Sequence, residues 1–191
     1  MGGLAKVTKM ELEIRRAVPG EAVRLSGIAR AAKASWGYPA AWLSAWEASL
    51  RVAPEYVQHH LVWVAVHDGE MVGFYALEQR DDRWLLEHFW VEPGWQGRGV
   101  GRRLFDHALA TVRAIRPGIV TIEADPNAAG FYARMGASES GSVAAPLEGE
   151  PGRRLPIFEV NVSAASPAEL DGRSRHEPGE GGTARAGPTR G

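Results

Sequence analysis

Apolar positions along this chain change their spacing several times, and each change marks an element. Leu12, Ile14 and Ala17, with Arg15 and Arg16 among them, read as a short first strand closed by Pro19 and Gly20. From Glu21 to Ser35 the period lengthens, and Ala22, Leu25, Ile28, Ala29 and Ala32 make one apolar face of a helix. Trp36, Gly37, Tyr38 and Pro39 interrupt it. A second helix is predicted over Ala40 to Val52, with Trp42, Leu43, Trp46 and Leu50 on one side and Pro54 ending it.

Period two then takes over. Leu61 to His67 reads as a strand, Asp68 and Gly69 as a tight hairpin turn, and Met71 to Leu77 as the return strand. After a polar turn at Gln79 to Arg83, the run Trp84 to Val91 completes an antiparallel meander. Val100 to Ile115 is helical again, with Leu104, Phe105, Ala108, Leu109 and Val112 inward. Ile119 to Glu123 follows as a strand. A strand, a helix on one face and a second strand form a crossover, so the strands flanking this helix should be parallel neighbours. A short helix from Asp125 or Pro126 to Gly136 and two last strands, Ser138 to Val143 and Leu155 to Val162, finish the pattern. The fold class is α/β (α+β), with a mixed, mostly antiparallel sheet flanked by helices.

The ends differ from the middle. Residues 1–10 read as a ragged start, 11–163 as one domain, and 164–191 as a disordered tail, because Gly, Pro, Ser, Arg and Glu dominate there and burial cannot offset the entropy of ordering. Across the 191 residues, 45% apolar and 24% charged content is that of an ordinary soluble protein. The net charge of -1 gives no electrostatic case for nucleic acid or an anionic membrane. No apolar run nears the ~20 residues of a membrane span, and Met1 to Met10 lacks a signal-peptide core, so the cytoplasm is the default location. Without cysteine there is no thiolate metal site and no cysteine nucleophile. The histidines show no ligand spacing, so no metal is expected.

The chemistry concentrates in Leu85 to Phe105, LLEHFWVEPGWQGRGVGRRLF. Between strand and helix lies Gln96, Gly97, Arg98, Gly99, Val100, Gly101. Glycines at alternate positions let a ligand reach the backbone and let the chain take positive φ. The first N–H groups of the following helix have no intrahelical partner and lie at the positive end of its dipole, so an anion fits there, helped by Arg98, Arg102 and Arg103. No Lys follows these glycines, which excludes a nucleotide-triphosphate loop, and Arg102 stands where a dinucleotide fingerprint needs its third glycine.

Gln96, Gly99 and Gly101, following Val91-Glu92-Pro93, resemble the acetyl-coenzyme A loop of the GCN5-related N-acetyltransferase (GNAT) superfamily. A second block, ADPNAAGFYARMGA over Ala124 to Ala137, resembles that superfamily's other signature, an Asn followed by a helix bearing Phe-Tyr and ending at glycine. The resemblance implies transfer of an acetyl group from acetyl-CoA to a primary amine of a small molecule, directly, without an acyl-enzyme. It implies that Phe89, Trp90 and Val91 on the strand, residues 96–102 in the loop, Asn127 and Tyr132 meet the cofactor. It makes Tyr132 the acid that protonates the departing thiolate.

Glu87 stands in the middle of an apolar strand, where burial is costly unless the carboxylate is paired or used, and where desolvation raises its pKa. Strict alternation places it on the face of Phe89 and Val91. In some polyamine-acetylating members a Glu at this point takes the amine proton, which makes Glu87 the candidate base and a substrate contact. His88 on the opposite face reads as structural. Trp36, Tyr38 and Trp42 are either core packing or the wall of the acceptor pocket. Two other readings are an acetyltransferase acting on a protein lysine or N-terminus and an acyl-coenzyme A sensor without turnover; a homodimer is left open.

Overall fold

A computed structural model describes residues 11–164. The ragged start at residues 1–10 and the expected disordered tail from residue 165 onward lie outside the described residues.

Among the described residues, seven strands form one sheet: β1 (Glu13–Arg16), β2 (Leu61–His67), β3 (Glu70–Arg80), β4 (Arg83–Val91), β5 (Gly118–Glu123), β6 (Ser138–Ala144) and β7 (Arg154–Val162), in the spatial order β1-β2-β3-β4-β5-β7-β6. The meander is formed by the expected turns. Asp68 and Gly69 both take positive φ, 48° and 81°, which matches the twist that a two-residue hairpin requires. The strands β4 and β5 are parallel neighbours, as a crossover helix between them demands. That helix, α5 (Val100–Ile115), presses Leu104, Phe105, Ala108 and Val112 onto one face of the sheet. On the other face α1 (Ala22–Ala34) buries Ala22, Leu25, Ile28 and Ala29 against Val62, Val64, Phe74 and Ala76. Two cores thus sandwich β2 to β4.

The region after α1 departs from the expected single helix over Ala40 to Val52. It is divided into α2 (Ala40–Ala45) and α3 (Glu47–Leu50) at Trp46, whose φ and ψ of -88° and -1° close the first helix on Trp42 O. The chain is extended at Arg51, and Pro54 opens α4 (Pro54–His59) instead of closing anything. Proline's fixed φ and missing N–H suit the first position of a helix as well as the end of one, so the sequence reads both ways. The return strand is longer than expected, and β3 and β4 run to a two-residue turn at Asp81 and Asp82.

Two irregularities in β4 matter for everything below. Opposite β3, the register shifts between Ala76 and Leu77: Ala76 pairs with His88 but Leu77 with Leu86, so Glu87 is an extra, bulged residue. Opposite β5, pairing runs only from Arg83–Ile119 to Leu85–Thr121. Beyond Leu85 the two strands part.

The sheet approaches α5 closely at Gly73. A Cβ added there would lie 2.8 Å from Trp90 O and 3.0 Å from Leu104 Cδ1. Gly73→Val is expected to lower stability by about 1–3 kcal/mol, as overpacking does, read as an earlier urea midpoint. An unchanged midpoint would mean that β4 can yield at Trp90.

Candidate functional site

Where β4 and β5 part, α6 (Ala129–Arg134) and the loop before α5 close around a cleft of about 410 Å³. Phe89, Trp90 and Val91 contribute its strand side, and Gln96, Gly97, Gly99, Gly101 and Arg102 its loop side. Asn127 and Tyr132 stand at the α6 end, and Trp36 reaches in from beyond α1. The geometry of the loop explains its glycines. Gly97 and Gly99 have φ of 73° and 87°, conformations that L side chains rarely adopt, and open space lies where their Cβ atoms would be. Gly99 is the N-cap of α5, so free N–H groups of the first turn border the cleft. At Gly101 the reason is contact: a Cβ would sit 3.2 Å from Phe131 Cε2. Gln96 Nε2 donates to Val91 O at 3.2 Å and ties the loop to the strand.

Two of the loop residues lie elsewhere. The Val100 side chain is buried in the core, and Arg98 extends over the Trp95 ring at 5.3 Å. Tyr132 is buried among Phe89, Phe105 and Phe158, with ring centroids about 6 Å away. Burial raises its pKa above the usual phenol value, so its hydroxyl keeps its proton at neutral pH.

A second cleft, of about 270 Å³, opens on the α1 side of the same strand. Glu87 lies here with Lys33, Trp46, Glu123, Asp125 and Arg153. Strict alternation had put Glu87 with Phe89 and Val91; the bulge corrects this, because the extra residue turns both Glu87 and His88 to the side away from α5. Glu87 is solvent-accessible at the cleft surface, yet the surrounding protein and the nearby carboxylates of Glu78 and Glu123 raise its pKa, against an opposing pull from Arg80. His88 is buried beside it, and burial lowers its pKa to about 4, so the ring is neutral at pH 7. It accepts the Trp90 Nε1–H on Nδ1 at 3.3 Å, which leaves the proton on Nε2. Trp90 lines both clefts.

The two clefts also share a buried charge network that sequence reasoning missed. Asp125 accepts from Lys33 Nζ at 2.5 Å, from the Tyr38 hydroxyl at 2.8 Å and from Asn127 N at 2.9 Å, with Arg153 at 3.5 Å. Asn127 Nδ2 donates to the Tyr38 hydroxyl at 2.7 Å. Lys33 Nζ stands 4.1 Å from the Trp46 ring, with Trp36 and Tyr38 just beyond 5 Å. The aromatic cluster is divided between packing and cleft lining. Tyr38 braces Asp125, and Trp42 donates its indole N–H to Glu148 O at 3.0 Å, so neither lines a cleft; Trp36 and Trp46 do. One signal was available: Lys33 extends the row Leu25, Ala29 by four residues and so had to lie on the buried face of α1. Nothing local marks Arg153.

Comparison with known proteins agrees with this geometry. Residues 58–136 match the acetyltransferase (GNAT) domain model. Over these residues the chain is similar to a GNAT acetyltransferase domain. The match takes in β2 to β5, α5 and α6, which form the first cleft and the parting strands. A GCN5-related N-acetyltransferase from Rhodopseudomonas palustris superposes with a TM-score of 0.63 at 23% identity, over 83% of this chain and 99% of that one. PaiA N-acetyltransferase from Thermoplasma acidophilum, solved in complex with coenzyme A, gives 0.61 at 17% identity over 80% and 99%. At these identities the likeness establishes the GNAT fold. In sequence, a 5-NmdU N-acetyltransferase of Pseudomonas phage PaMx11 is 32% identical over 82 residues, 42% of this chain. The match spans 59% of that relative's length.

The network predicts a pH-dependent stability. Asp125 has a pKa below its ordinary value of 3.8: burial raises it, but the Lys33 hydrogen bond and charge and the Asn127 and Tyr38 hydrogen bonds together win. A depressed folded-state pKa contributes stability that is present above the unfolded value and lost as pH falls through the folded one. Asp125→Asn leaves Lys33 uncompensated in the interior and should cost about 3–5 kcal/mol at pH 7. In parallel urea titrations the gap from wild type should hold down to about pH 4 and narrow further into acid. A gap that stays constant to pH 2 would refute the assignment.

Proposed function

We propose that this protein transfers an acetyl group from acetyl-CoA to a primary amine of a small molecule. The observation that carries this is the meeting of two clefts at Trp90, where β4 and β5 part. The first has what a pyrophosphate and a pantetheine arm require: free N–H groups at the start of α5, Arg102, and a strand edge beyond Leu85 with no strand partner among the described residues. The second has what an amine requires, carboxylates at its surface. Acetyl-CoA supplies a thioester, whose carbonyl carbon is open to attack by nitrogen and whose thiolate can leave.

The chain's own groups then divide the work. Glu87 receives the proton that the amine must lose, directly or through one water, and its raised pKa makes it a better base than an exposed carboxylate. Backbone N–H groups of Phe89 to Val91 on the parted edge of β4 are the donors for the oxyanion. Once the C–N bond has formed, the oxyanion collapses and the C–S bond breaks, and Tyr132, protonated and at the α6 end of the first cleft, gives a proton to the departing sulfur. The small volume of the second cleft favours a small acceptor over a protein chain, and the phage relative is an N-acetyltransferase.

Calorimetry with acetyl-CoA tests the first cleft. Micromolar binding, about -8 kcal/mol, should be lost in the Gly99→Glu, Gly101→Glu double variant; a folded wild type that does not bind would sink the proposal. Tyr132→Phe should retain binding and lose about 10²-fold in kcat, within the range for general acid catalysis. Retained binding without turnover of any amine by wild type would instead favour the sensor reading. For Glu87, the rate should rise with pH through a value above 4.5, the ordinary carboxyl value, since the base must be ionised. In Glu87→Gln that acidic limb should disappear along with about 10²-fold of kcat/KM.

A further inference from the structure

We propose that the acceptor carries an anionic oxygen group, a carboxylate or a phosphate, beside its amine, and that Arg153 anchors it. The inference rests on the second cleft being the acceptor site. Two cations, Lys33 and Arg153, lie in that cleft, and both turn to one carboxylate, Asp125. Their side chains are 9% and 10% exposed and Asp125's is 6%, so among the described residues one positive charge is left without its own counter-ion in a largely dry wall.

The distances show which cation is spare. Lys33 holds Asp125 Oδ2 at 2.5 Å, and Asp125 Oδ1 is taken by Tyr38 and Asn127. Arg153 is left with long contacts, 3.5 Å to Asp125 Oδ2 and 3.4 Å to Ala145 O, and lies near the Tyr38 hydroxyl. A guanidinium has five N–H donors in a rigid fork that matches a carboxylate or phosphate edge. The Trp46 ring, 5.1 Å away, holds the fork in place. The same cleft exposes Glu87 and Glu123, which have no ion-pair partner among the described residues and suit an amine. A cleft of about 270 Å³ with acids at one set of positions and a spare guanidinium at another fits a small molecule bearing both charges.

The test uses matched pairs of amines, phenylalanine against phenethylamine and O-phosphoethanolamine against ethanolamine, with two readouts. The first is kcat/KM from released thiol; the second is calorimetric binding of each amine to the protein saturated with coenzyme A, which needs no turnover. In wild type, the anionic member of one pair should be favoured at least tenfold, and which pair shows it tells carboxylate from phosphate. In Arg153→Gln that ratio should fall towards one, and Arg153→Lys, which keeps the charge but not the fork, should recover only part of it. Circular dichroism and coenzyme A binding verify that the variants fold. A wild type that favours the uncharged partner in both pairs, or a preference that survives Arg153→Gln, overturns the inference. Should thiol release fail with every amine, the acetyl-transfer reading falls, while the binding ratios still decide the role of Arg153.

Discussion

Everything in this molecule follows from two neighbouring strands ceasing to pair. Up to Leu85 and Thr121, β4 and β5 satisfy one another's backbone groups; one residue later they do not. A buried backbone group without a partner costs about 1–3 kcal/mol, so such an edge persists only where water or a ligand can reach it. Phe89, Trp90 and Val91 are accordingly only half-buried, although they belong to a central strand. The gap cannot be filled from above either, because α6 rests on Phe89 through Phe131, with ring centroids 5.5 Å apart, and holds the cleft open at its side.

The bulge at Glu87 is the second half of the same device. An ordinary strand presents its side chains alternately, so a carboxylate two residues before Phe89 would face α5 and be buried among Leu104 and Phe105. One extra residue opposite β3 redirects it to the α1 side, where the second cleft lies. The strand can thus offer apolar side chains to one cleft and a carboxylate to the other while Trp90 borders both.

Around these strands the packing is held by charge in one place. Asp125, at the start of the turn into α6, joins Lys33 of α1, Tyr38 after α1 and Arg153 before β7. Segments remote in sequence meet on a single carboxylate, and Asn127 carries the connection into the first cleft. Buried ion pairs are rarely a source of net stability, but removing one partner is costly. The network therefore ties the wall of the second cleft to that of the first.

Local pattern determined a great deal. The spacing of Leu104, Phe105, Ala108 and Val112 and the glycine before them delimit α5 to the residue, and Asp68-Gly69 places the hairpin, because helix period and turn φ are properties of neighbouring residues. The glycine loop and the Phe-Tyr helix carry the family resemblance for the same reason. What lay beyond reach were events that need a partner. Whether Pro54 ends or begins a helix, whether Glu87 keeps the alternation or breaks it, and whether β4 keeps its hydrogen bonds to β5 past Leu85 depend on the strand or helix alongside. The charges follow suit: Lys33, Asp125 and Arg153 are separated by 92 and 28 residues and are brought together only by the sheet order, β5 beside β7, that tertiary packing selects.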